Sequence, residues 1–418
     1  MKKCYFEADI LLPDMKKYSP EKWSVVACDQ FTSEPEYWHE AEQIVGDAPS
    51  SLNLILPEVY LEESENRISA INAQMKKYAS DILVEYPESM IYVERTQSDG
   101  SIRRGVVMAI DLECYDYKKG ADSLIRATEA TVIERIPPRV AIRRGASLEL
   151  PHVMLLIDDP KRSVIEALGD DCGEIVYDFD LMLGGGHIKG RLIDKKYISK
   201  LSSALDALVS AEAMAEKYGD GNLAPLMFAV GDGNHSLASA KATYEEVKQS
   251  IGADAAVGHP ARYALVEVVN IHDDALKFEP IYRIMTDVDP EAVISELSAY
   301  VKTLSGTAES QKVDYIYGET KGSIEVEYPE QQLTVGTLQK FIDSYIASHP
   351  EAKVDYIHGE DSINALAQKP RSIGFTFGGM EKSQLFKTVI FDGALPRKTF
   401  SMGHAQDKRY YLECRKIK

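Results

Sequence analysis

The segment from Leu226 to Lys241 reads LMFAVGDGNHSLASAK. It predicts a buried strand, a glycine turn and the start of a helix. The apolar run from Leu226 to Val230 has the length of a strand, and Gly231 and Gly233 permit a tight turn. Apolar residues then recur at helical spacing at Leu237, Ala240, Tyr244, Val247 and Ile251. A chain with this unit is expected to contain a sheet packed against helices.

The same turn carries an acid, an amide, an imidazole and a hydroxyl, namely Asp232, Asn234, His235 and Ser236. The first amides of a helix lack internal acceptors and lie at the positive end of its dipole, so they stabilise a bound phosphate or carboxylate. The turn therefore predicts an anion site. The alternative is a purely structural turn, because Asn and Ser are ordinary residues at helix starts.

The charge balance disfavours bulk nucleic-acid binding. The 418 residues include 47 basic and 66 acidic side chains, a formal net charge of −19 that repels polyanions. The N-terminus has no apolar signal region, and no run approaches the roughly 18 apolar residues of a membrane span. We expect a cytoplasmic protein with a small anionic ligand and no membrane or nucleic-acid partner; the sequence leaves the oligomeric state open.

Cysteine and histidine spacing indicates neither a disulfide framework nor a zinc site. The five cysteines are scattered, without a C-x-x-C pair. Only the cluster from His272 to Asp274 resembles a local set of metal ligands, and we interpret it as a solvated turn at a strand end.

Three regions are predicted along the chain. Residues 1–124 form an α+β region, with a helix over 64–79 and a hairpin whose turn is Ser98–Ser101. Residues 125–270 contain most of the chemistry. Residues 271–418 form a C-terminal α/β domain, with a helix face over 338–346 and a strand over 372–377. The predicted fold class is mixed α/β, or α+β, with a mixed sheet in the central region.

A basic island precedes the glycine turn, at Arg135, Arg139, Arg143 and Arg144. The planar guanidinium suits bidentate recognition of phosphate or carboxylate, so these arginines predict a pocket beside the anion turn. The alternative is that they are solvated and pair with nearby acids such as Glu129, Glu134 and Glu149.

Two further segments contain candidate ligand-binding side chains. The glycine-rich stretch 181–193 carries His187 and Lys189, and it matches neither the Walker loop nor the Rossmann fingerprint. It predicts either a flap over a bound anion or an ordinary connection into a helix around 199–217. The loop 393–411 carries Arg397, Lys398 and His404, which are candidates to bind an anionic substrate; the alternative is a solvated C-terminal loop.

Five stretches taken together resemble the uncharacterised family named domain of unknown function 1015, over nearly the whole chain. They are WSVVACDQ at 23–30, RATE at 126–129, GDGNH at 231–235, PIYR at 280–283 and LPRKTF at 395–400. Many members have two histidines and an arginine in the turn, where this chain has Asn234, His235 and Ser236. The arginine of the family pattern is therefore replaced here by a serine.

That family is similar to the ParB and sulfiredoxin superfamily, in which the turn before a helix binds nucleotide phosphates. Some members of that superfamily phosphorylate free serine. The resemblance thus implies a ParB/sulfiredoxin-like core and a nucleotide-dependent small-molecule kinase. Sulfiredoxin chemistry is disfavoured because it needs a cysteine in the turn, and DNA partitioning is disfavoured by the charge.

The leading hypothesis is an enzyme that binds a nucleotide or phosphorylated metabolite and transfers or hydrolyses a phosphoryl group. Gly231, Gly233, Asn234 and Ser236 are expected to hold phosphate, with Arg135, Arg139 and Lys398 neutralising it. The predicted catalytic residues are Glu129, Asp232 and His235, of which Glu129 and Asp232 are also the candidate ligands of Mg²⁺. The rival hypothesis is a non-enzymatic sensor, in which the same ligand orders a flap and changes a partner surface.

Overall fold

Residues 2–129 and 136–418, apart from the side chain of Pro138, are described by the computed structural model. Contacts between Cα atoms divide the chain into two units. Unit 1 contains residues 1–127, 131–276 and 403–418, and unit 2 contains residues 128–130 and 277–402. The boundary expected at residue 124 falls within unit 1, and the chain passes into unit 2 after Leu276.

The described helices are numbered in chain order. In unit 1 they are α1 (Pro35–Val45), α2 (Ser64–Asp81), α3 (Ile136–Gly145), α4 (Lys195–Ala207), α5 (Ala211–Tyr218), α6 (Asn234–Ile251) and α7 (Ala253–Ala256). In unit 2 they are α8 (Pro290–Val301), α9 (Thr334–Ser348), α10 (Glu360–Ala367) and α11 (Lys382–Phe391).

The described strands are numbered in the same way. Those of unit 1 are β1 (Tyr5–Phe6), β2 (Ala8–Pro13), β3 (Leu83–Ser89), β4 (Ile91–Thr96), β5 (Ile102–Asp111), β6 (Tyr115–Asp116), β7 (Ile125–Ala127), β8 (Leu148–Glu149), β9 (Met154–Ile157), β10 (Gly173–Asp180), β11 (His187–Ile193), β12 (Phe228–Asp232), β13 (Tyr263–Asn270) and β20 (Arg415–Lys416). Those of unit 2 are β14 (Phe278–Thr286), β15 (Gln311–Tyr317), β16 (Thr320–Val326), β17 (Lys353–His358), β18 (Ser372–Thr376) and β19 (Phe400–Met402).

A mixed sheet forms the centre of unit 1. Its described strands follow the order β10-β11-β4-β5-β13-β9-β12-β7-β6, and β1 pairs with β5. The pairs β12–β7, β13–β9 and β6–β7 are parallel, whereas β4–β5, β5–β13 and β9–β12 are antiparallel. The strand β12 that leads to the glycine turn therefore lies inside the sheet, between β9 and β7.

Both faces are buried at the centre of this sheet. Along β5, Val106, Met108 and Ile110 belong to one apolar core, and Val107 and Ala109 belong to another. The alternation follows from the two-residue period of a strand. Helices α4 and α6 contribute to the first core, and α2 contributes Ile71, Met75 and Tyr78 to the second. Burial of each large apolar side chain in these cores stabilises the fold by about 1.5–3 kcal/mol.

Unit 2 is built on an antiparallel sheet. Its order is β16-β15-β18-β14-β17, and β19 pairs with one end of β14. Ile284 of β14, Ile316 of β15 and Ala367 of α10 pack together as a buried cluster. The helix face predicted over 338–346 is confirmed, because Leu338, Phe341, Ile342 and Tyr345 are all buried in α9.

The predicted mixed α/β class, with a mixed sheet and a C-terminal α/β part, is confirmed. The hairpin predicted around Ser98–Ser101 is also present, as the antiparallel pair β4–β5. The helix predicted around 199–217 is instead two helices, α4 and α5. The break has a local cause, because Ser210 Oγ accepts a hydrogen bond from the N–H of Ala213 and caps the start of α5.

Buried charges hold the C-terminal segment 403–418 to the rest of unit 1. Arg103 Nη2 bonds Glu267 at 2.9 Å, and Tyr411 Oη donates to Glu267 at 3.1 Å. Arg415 Nε bonds Glu149 Oε1 at 2.7 Å. Removing one partner of a buried ion pair costs about 3–5 kcal/mol, because the other charge is left without compensation.

Glu413 in this segment makes the stability of unit 1 depend on pH. Its carboxyl is fully buried, and Tyr177 Oη donates to Oε1 at 2.7 Å. Burial raises the pKa of Glu413 from 4.5 to about 7. Between these two values the folded protein binds more protons than the unfolded chain, so the free energy of unfolding falls as the pH rises.

We therefore predict that Glu413→Gln is more stable than the wild type at pH 8, by up to about 3 kcal/mol, and similar to it near pH 4.5. Urea unfolding followed by tryptophan fluorescence measures this, because both tryptophans, Trp23 and Trp38, belong to unit 1. The exposed Glu212→Gln is the control. An equal difference between Glu413→Gln and wild type at pH 5 and pH 8 would contradict the prediction.

Candidate functional site

The strand-turn-helix unit predicted from the sequence is confirmed. Strand β12 buries Phe228, Ala229 and Val230 and ends at Asp232, Gly233 is the N-cap, and α6 begins at Asn234. The Oδ1 of Asp232 accepts a hydrogen bond from the N–H of Gly233 at 2.9 Å. Gly233 has no side chain, so no side-chain oxygen at the N-cap accepts a hydrogen bond from the first amides of α6.

The two glycines of the turn are required by packing against protein atoms. A Cβ on Gly231 would lie 2.8 Å from Cγ of Leu156 on β9. Gly233 has φ of +82°, and a Cβ there would lie 3.0 Å from Cγ2 of Val153. The absence of side chains at both positions lets β12 and the turn pack closely against Leu156 and Val153.

One cation from the C-terminal segment reaches this turn. Lys408 Nζ lies 3.1 Å from Asp232 Oδ2, and both side chains are about a quarter exposed. The Oδ1 of Asn234 is buried and has no hydrogen-bond partner among the described residues. Rotating the Asn234 amide by 180° would present the donor Nδ2 at the same place. The turn thus combines helix amides, a lysine and an amide group.

Ser236 in the first turn of α6 is paired with a histidine that the sequence did not reveal. Its Oγ lies 3.0 Å from Nε2 of His152. The His152 ring packs edge-on against Tyr410, with 5.1 Å between ring centroids. Tyr410 Oη in turn donates to Sγ of Cys28 at 3.0 Å. Burial raises the pKa of Cys28 to about 12, so this thiol stays protonated at neutral pH.

Asp29 places a carboxylate in the same environment. Burial acts to raise the pKa of Asp29, but His152, a hydrogen bond from Gln30 and the charge of Lys408 together hold it below its usual value. Asp29 is therefore ionised at neutral pH. The contact of Gln30 Nε2 with Asp29 Oδ1 measures 3.0 Å.

A cavity of about 620 Å³ opens beside these side chains within unit 1. Ser236 and His152 line it together with Asp29 and Tyr410. Its apolar lining includes Leu54, Leu56, Ile142, Leu148, Leu237 and Leu265. Volumes of about 300–1,000 Å³ with an apolar lining and a few convergent polar groups are typical of small-molecule sites.

The basic island is neutralised by acids. Arg139 bonds Glu58, Arg143 bonds Glu149, and Arg144 bonds the exposed Glu246 at 2.8 Å. These ion pairs favour the alternative in which the arginines pair with acidic side chains, rather than the one in which they are available to bind an anion. Arg139 and Arg143 still line the cavity with their partners. The predicted phosphate ligand Arg135 lies outside the described residues.

The glycine-rich stretch 181–193 forms a hairpin. Residues 181–186 connect β10 to β11, and His187 and Lys189 lie on β11. His187 contacts Asp180 through Nδ1 at 2.7 Å and Asp178 through Nε2 at 2.6 Å. Burial acts to lower the pKa of His187, and these two carboxylates raise it above its usual value.

Unit 2 gathers three of the sequence motifs around one buried arginine. Arg283 of the PIYR motif donates to the carbonyls of Lys398 and Arg397 at 3.1 and 3.0 Å, and to Gln339 at 2.7 Å. The carbonyl of Thr128, next to Glu129, accepts a hydrogen bond from the N–H of Leu395 at 2.7 Å. Glu129, Arg397 and Lys398 therefore belong to one neighbourhood of unit 2.

The remaining predicted residues divide between the units. Asp232 and His235 share the turn of unit 1, whereas Glu129, the third predicted catalytic residue, belongs to unit 2. His404 precedes a short 3₁₀ helix, Ala405–Asp407, in unit 1. Among the described residues no group of three or more histidine, cysteine and acidic side chains is arranged to hold a metal ion.

Sequence reasoning missed His152, Tyr410 and Lys408 as neighbours of the turn. Asp29 and Cys28 lie within the motif at 23–30, which could have identified them. His152 stands in no motif, and only the fold brings it to Ser236.

Among the described helices, none combines the length and apolar character that crossing a bilayer requires.

A model of the family described as "Protein of unknown function (DUF1015)" matches residues 13–415, and the chain belongs to this family. No curated protein matches the chain.

Similar solved structures include a free serine kinase variant in complex with ADP, at 11% identity and TM-score 0.36, covering 75% of this chain and 92% of that one. A structure described as free serine kinase in complex with AMP has 10% identity and TM-score 0.35, covering 75% of this chain and 91% of that one. A conserved hypothetical protein from Pyrococcus furiosus has 11% identity and TM-score 0.33, with 75% and 95% covered.

We predict that Gly233→Ala destabilises unit 1 by roughly 2–3 kcal/mol, because a side chain at positive φ is strained and this one also meets Val153. The matched control is Gly219→Ala at the end of α5, where φ is +85° and nothing lies within 4 Å of the added Cβ. That variant should lose about 1 kcal/mol. Urea unfolding followed by tryptophan fluorescence measures the free energy of unfolding of both variants. Equal losses of stability would show that contact with Val153 does not contribute to the effect at Gly233.

Proposed function

We propose that this protein is an enzyme that binds a nucleotide or another phosphorylated metabolite in unit 1 and transfers its phosphoryl group to a small hydroxyl-bearing acceptor. The observation that carries the proposal is the cavity of about 620 Å³ lined by the first turn of α6. The phosphate would bind at the turn, and the apolar part of the ligand, such as a nucleobase, would occupy the cavity.

The groups at the turn suit an anion. Helix α6 has 18 residues, and its positive end is not capped by a side chain of its N-cap residue. Gly231, Gly233, Asn234 and Ser236 would supply backbone or side-chain donors to phosphate. Lys408 would turn from Asp232 to the ligand and neutralise part of its charge. Arg139, which lines the cavity, is the second predicted cation for the phosphate. Arg397, Lys398, His404, His187 and Lys189 remain predicted substrate contacts.

The chemistry we propose needs a proton acceptor and charge neutralisation. Glu129 or Asp232 would accept the proton of the acceptor hydroxyl, and His235 is the alternative base. Mg²⁺, when bound, would neutralise the phosphates, which supply most of its ligands, while Asp232 or Glu129 adds a carboxylate oxygen. Free serine is the first acceptor to test, because the resemblance to the ParB superfamily implies it.

Binding is tested by calorimetry with ATP, ADP, AMP and pyrophosphate, each with and without Mg²⁺. We expect at least one nucleotide to bind and to raise the melting temperature of the protein by mass action. Turnover is then tested with the bound nucleotide and free serine. Absence of binding for every one of these ligands would overturn the proposed function.

We predict that Ser236→Asp abolishes nucleotide binding, whereas Ser236→Asn keeps it within about tenfold. An aspartate in the first turn stabilises the helix through the dipole but repels a phosphate at the same amides. Asparagine has nearly the same size without the charge. Calorimetry measures both affinities, and equal affinities would exclude phosphate binding at the first turn of α6.

We predict that Glu129→Gln abolishes turnover and leaves nucleotide affinity nearly unchanged, since the substitution removes a charge and a proton acceptor while keeping the shape of the side chain. A steady-state assay with the bound nucleotide, together with calorimetry, separates the two effects. Unchanged turnover would remove Glu129 from the mechanism. Nucleotide binding by the wild type without turnover of any acceptor would support a regulatory role instead.

A further inference from the structure

The pair formed by Ser236 and His152 has the geometry of a nucleophile and its base. Ser236 Oγ lies 3.0 Å from His152 Nε2, within the range at which a histidine removes a hydroxyl proton. When the imidazole carries its own proton on Nδ1, the serine hydroxyl donates to Nε2. Both residues line the same cavity, so a ligand there can reach the serine oxygen.

A second serine of the same helix shows what is particular to Ser236. Ser239 also lines the cavity, but its hydroxyl donates to the carbonyl of His235 at 2.7 Å. A serine in a helix commonly makes this contact with the carbonyl of the preceding turn, and a carbonyl does not remove the hydroxyl proton. Of these two serines, Ser236 is the one paired with an imidazole.

The surroundings of His152 hold the ring in place and set a carboxylate near it. Tyr410 packs against the ring edge-on, and the phenol is itself fixed by its hydrogen bond to Cys28. The ionised Asp29 interacts electrostatically with His152. A nearby carboxylate stabilises the imidazolium that forms when the histidine takes a proton.

We propose that Ser236 is a nucleophile, that His152 is its general base, and that phosphoryl transfer by this protein passes through a covalent phosphoserine at position 236. His152 Nε2 takes the hydroxyl proton as Oγ attacks phosphorus, the Oγ–P bond forms, and the bond from phosphorus to the leaving oxygen breaks. The imidazolium then returns the proton to the leaving group. In the second step the acceptor hydroxyl or water loses its proton to Asp232, Glu129 or His235 as its oxygen attacks phosphorus, the Oγ–P bond breaks, and this proton returns to Ser236 Oγ.

The cavity indicates the class of donor. Apolar side chains such as Leu54, Leu148 and Leu265 line it, while Arg139 and Arg143 are paired with Glu58 and Glu149. A phosphoric ester or anhydride whose leaving group has a large, weakly charged part fits this lining. The covalent phosphoserine rests on the proposed function, but the nucleophilic character of Ser236 can be tested without any knowledge of the natural donor.

The probe is an alkyl fluorophosphonate, which reacts with activated serines. Ser236 Oγ would bond to phosphorus and fluoride would leave, so the protein gains the mass of the probe minus HF. Intact mass spectrometry gives the labelling rate, and peptide mapping gives the site. We expect one adduct, on Ser236, in the full-length wild-type protein.

Three variants separate activation from accessibility. Ser236→Ala should lose the adduct entirely, and His152→Gln should react about 10²–10⁴ times more slowly. Ser239→Ala, on the same helix and in the same cavity, should react at the wild-type rate. Unfolding curves establish that each variant is folded, and Ser236→Thr supplies a second variant in which a hydroxyl is retained. No adduct on Ser236 in the wild type, or an equal rate in a folded His152→Gln, would overturn the inference.

A failure of this inference differs from a failure of the proposed function. Nucleotide binding without a fluorophosphonate adduct would keep the proposed function and remove the covalent step. An adduct on Ser236 without binding of any nucleotide or pyrophosphate would keep the nucleophile and remove phosphoryl transfer. With both present, incubation with ATP labelled at the γ-phosphate should deposit the label on Ser236, and its absence there would overturn the phosphoserine.

Discussion

Burial of the central sheet of unit 1 on both faces controls the arrangement of that unit. Each strand at its centre sends alternate side chains into two apolar cores, as Val106 and Val107 of β5 do. Exposing the side chains of either face to water would cost about 1.5–3 kcal/mol of folding stability for each large apolar side chain. Helices must therefore cover both faces, and α6 covers one of them directly after β12. The position of the glycine turn, at the end of a strand inside the sheet, follows from this constraint.

The C-terminal segment completes the surroundings of the turn. It pairs with β2 through Leu11 and Cys414, whose backbone hydrogen bonds both measure 2.8 Å. Arg415 enters a buried site and pairs with Glu149. These anchors place Lys408 beside Asp232 and Tyr410 beside His152. Because a buried charge without its partner is strongly destabilising, the same contacts that fix the segment also fix the side chains around the cavity.

Local sequence patterns predicted the helices and strands better than they predicted which distant side chains come into contact. The strand-turn-helix unit at 226–241 was predictable, since glycine, apolar spacing and capping residues all act within a few positions. The helix face of α9 was predictable for the same reason. The pairing of Arg143 with Glu149 was foreseen as an alternative, because the two residues are close in sequence. The partner of Ser236 was not, because His152 is 84 residues away and stands in no motif.

The sequence by itself determined the mixed α/β class, the family, and the strand and glycine turn that start α6. These depend on the side-chain period of each element and on φ preferences, which are properties of neighbouring residues. Only the tertiary structure decided that His152, Tyr410, Asp29 and Lys408 surround this turn, and that Glu129 joins the motifs of unit 2. The physical reason is that sheet order and burial on two faces, not local propensity, select which distant segments meet.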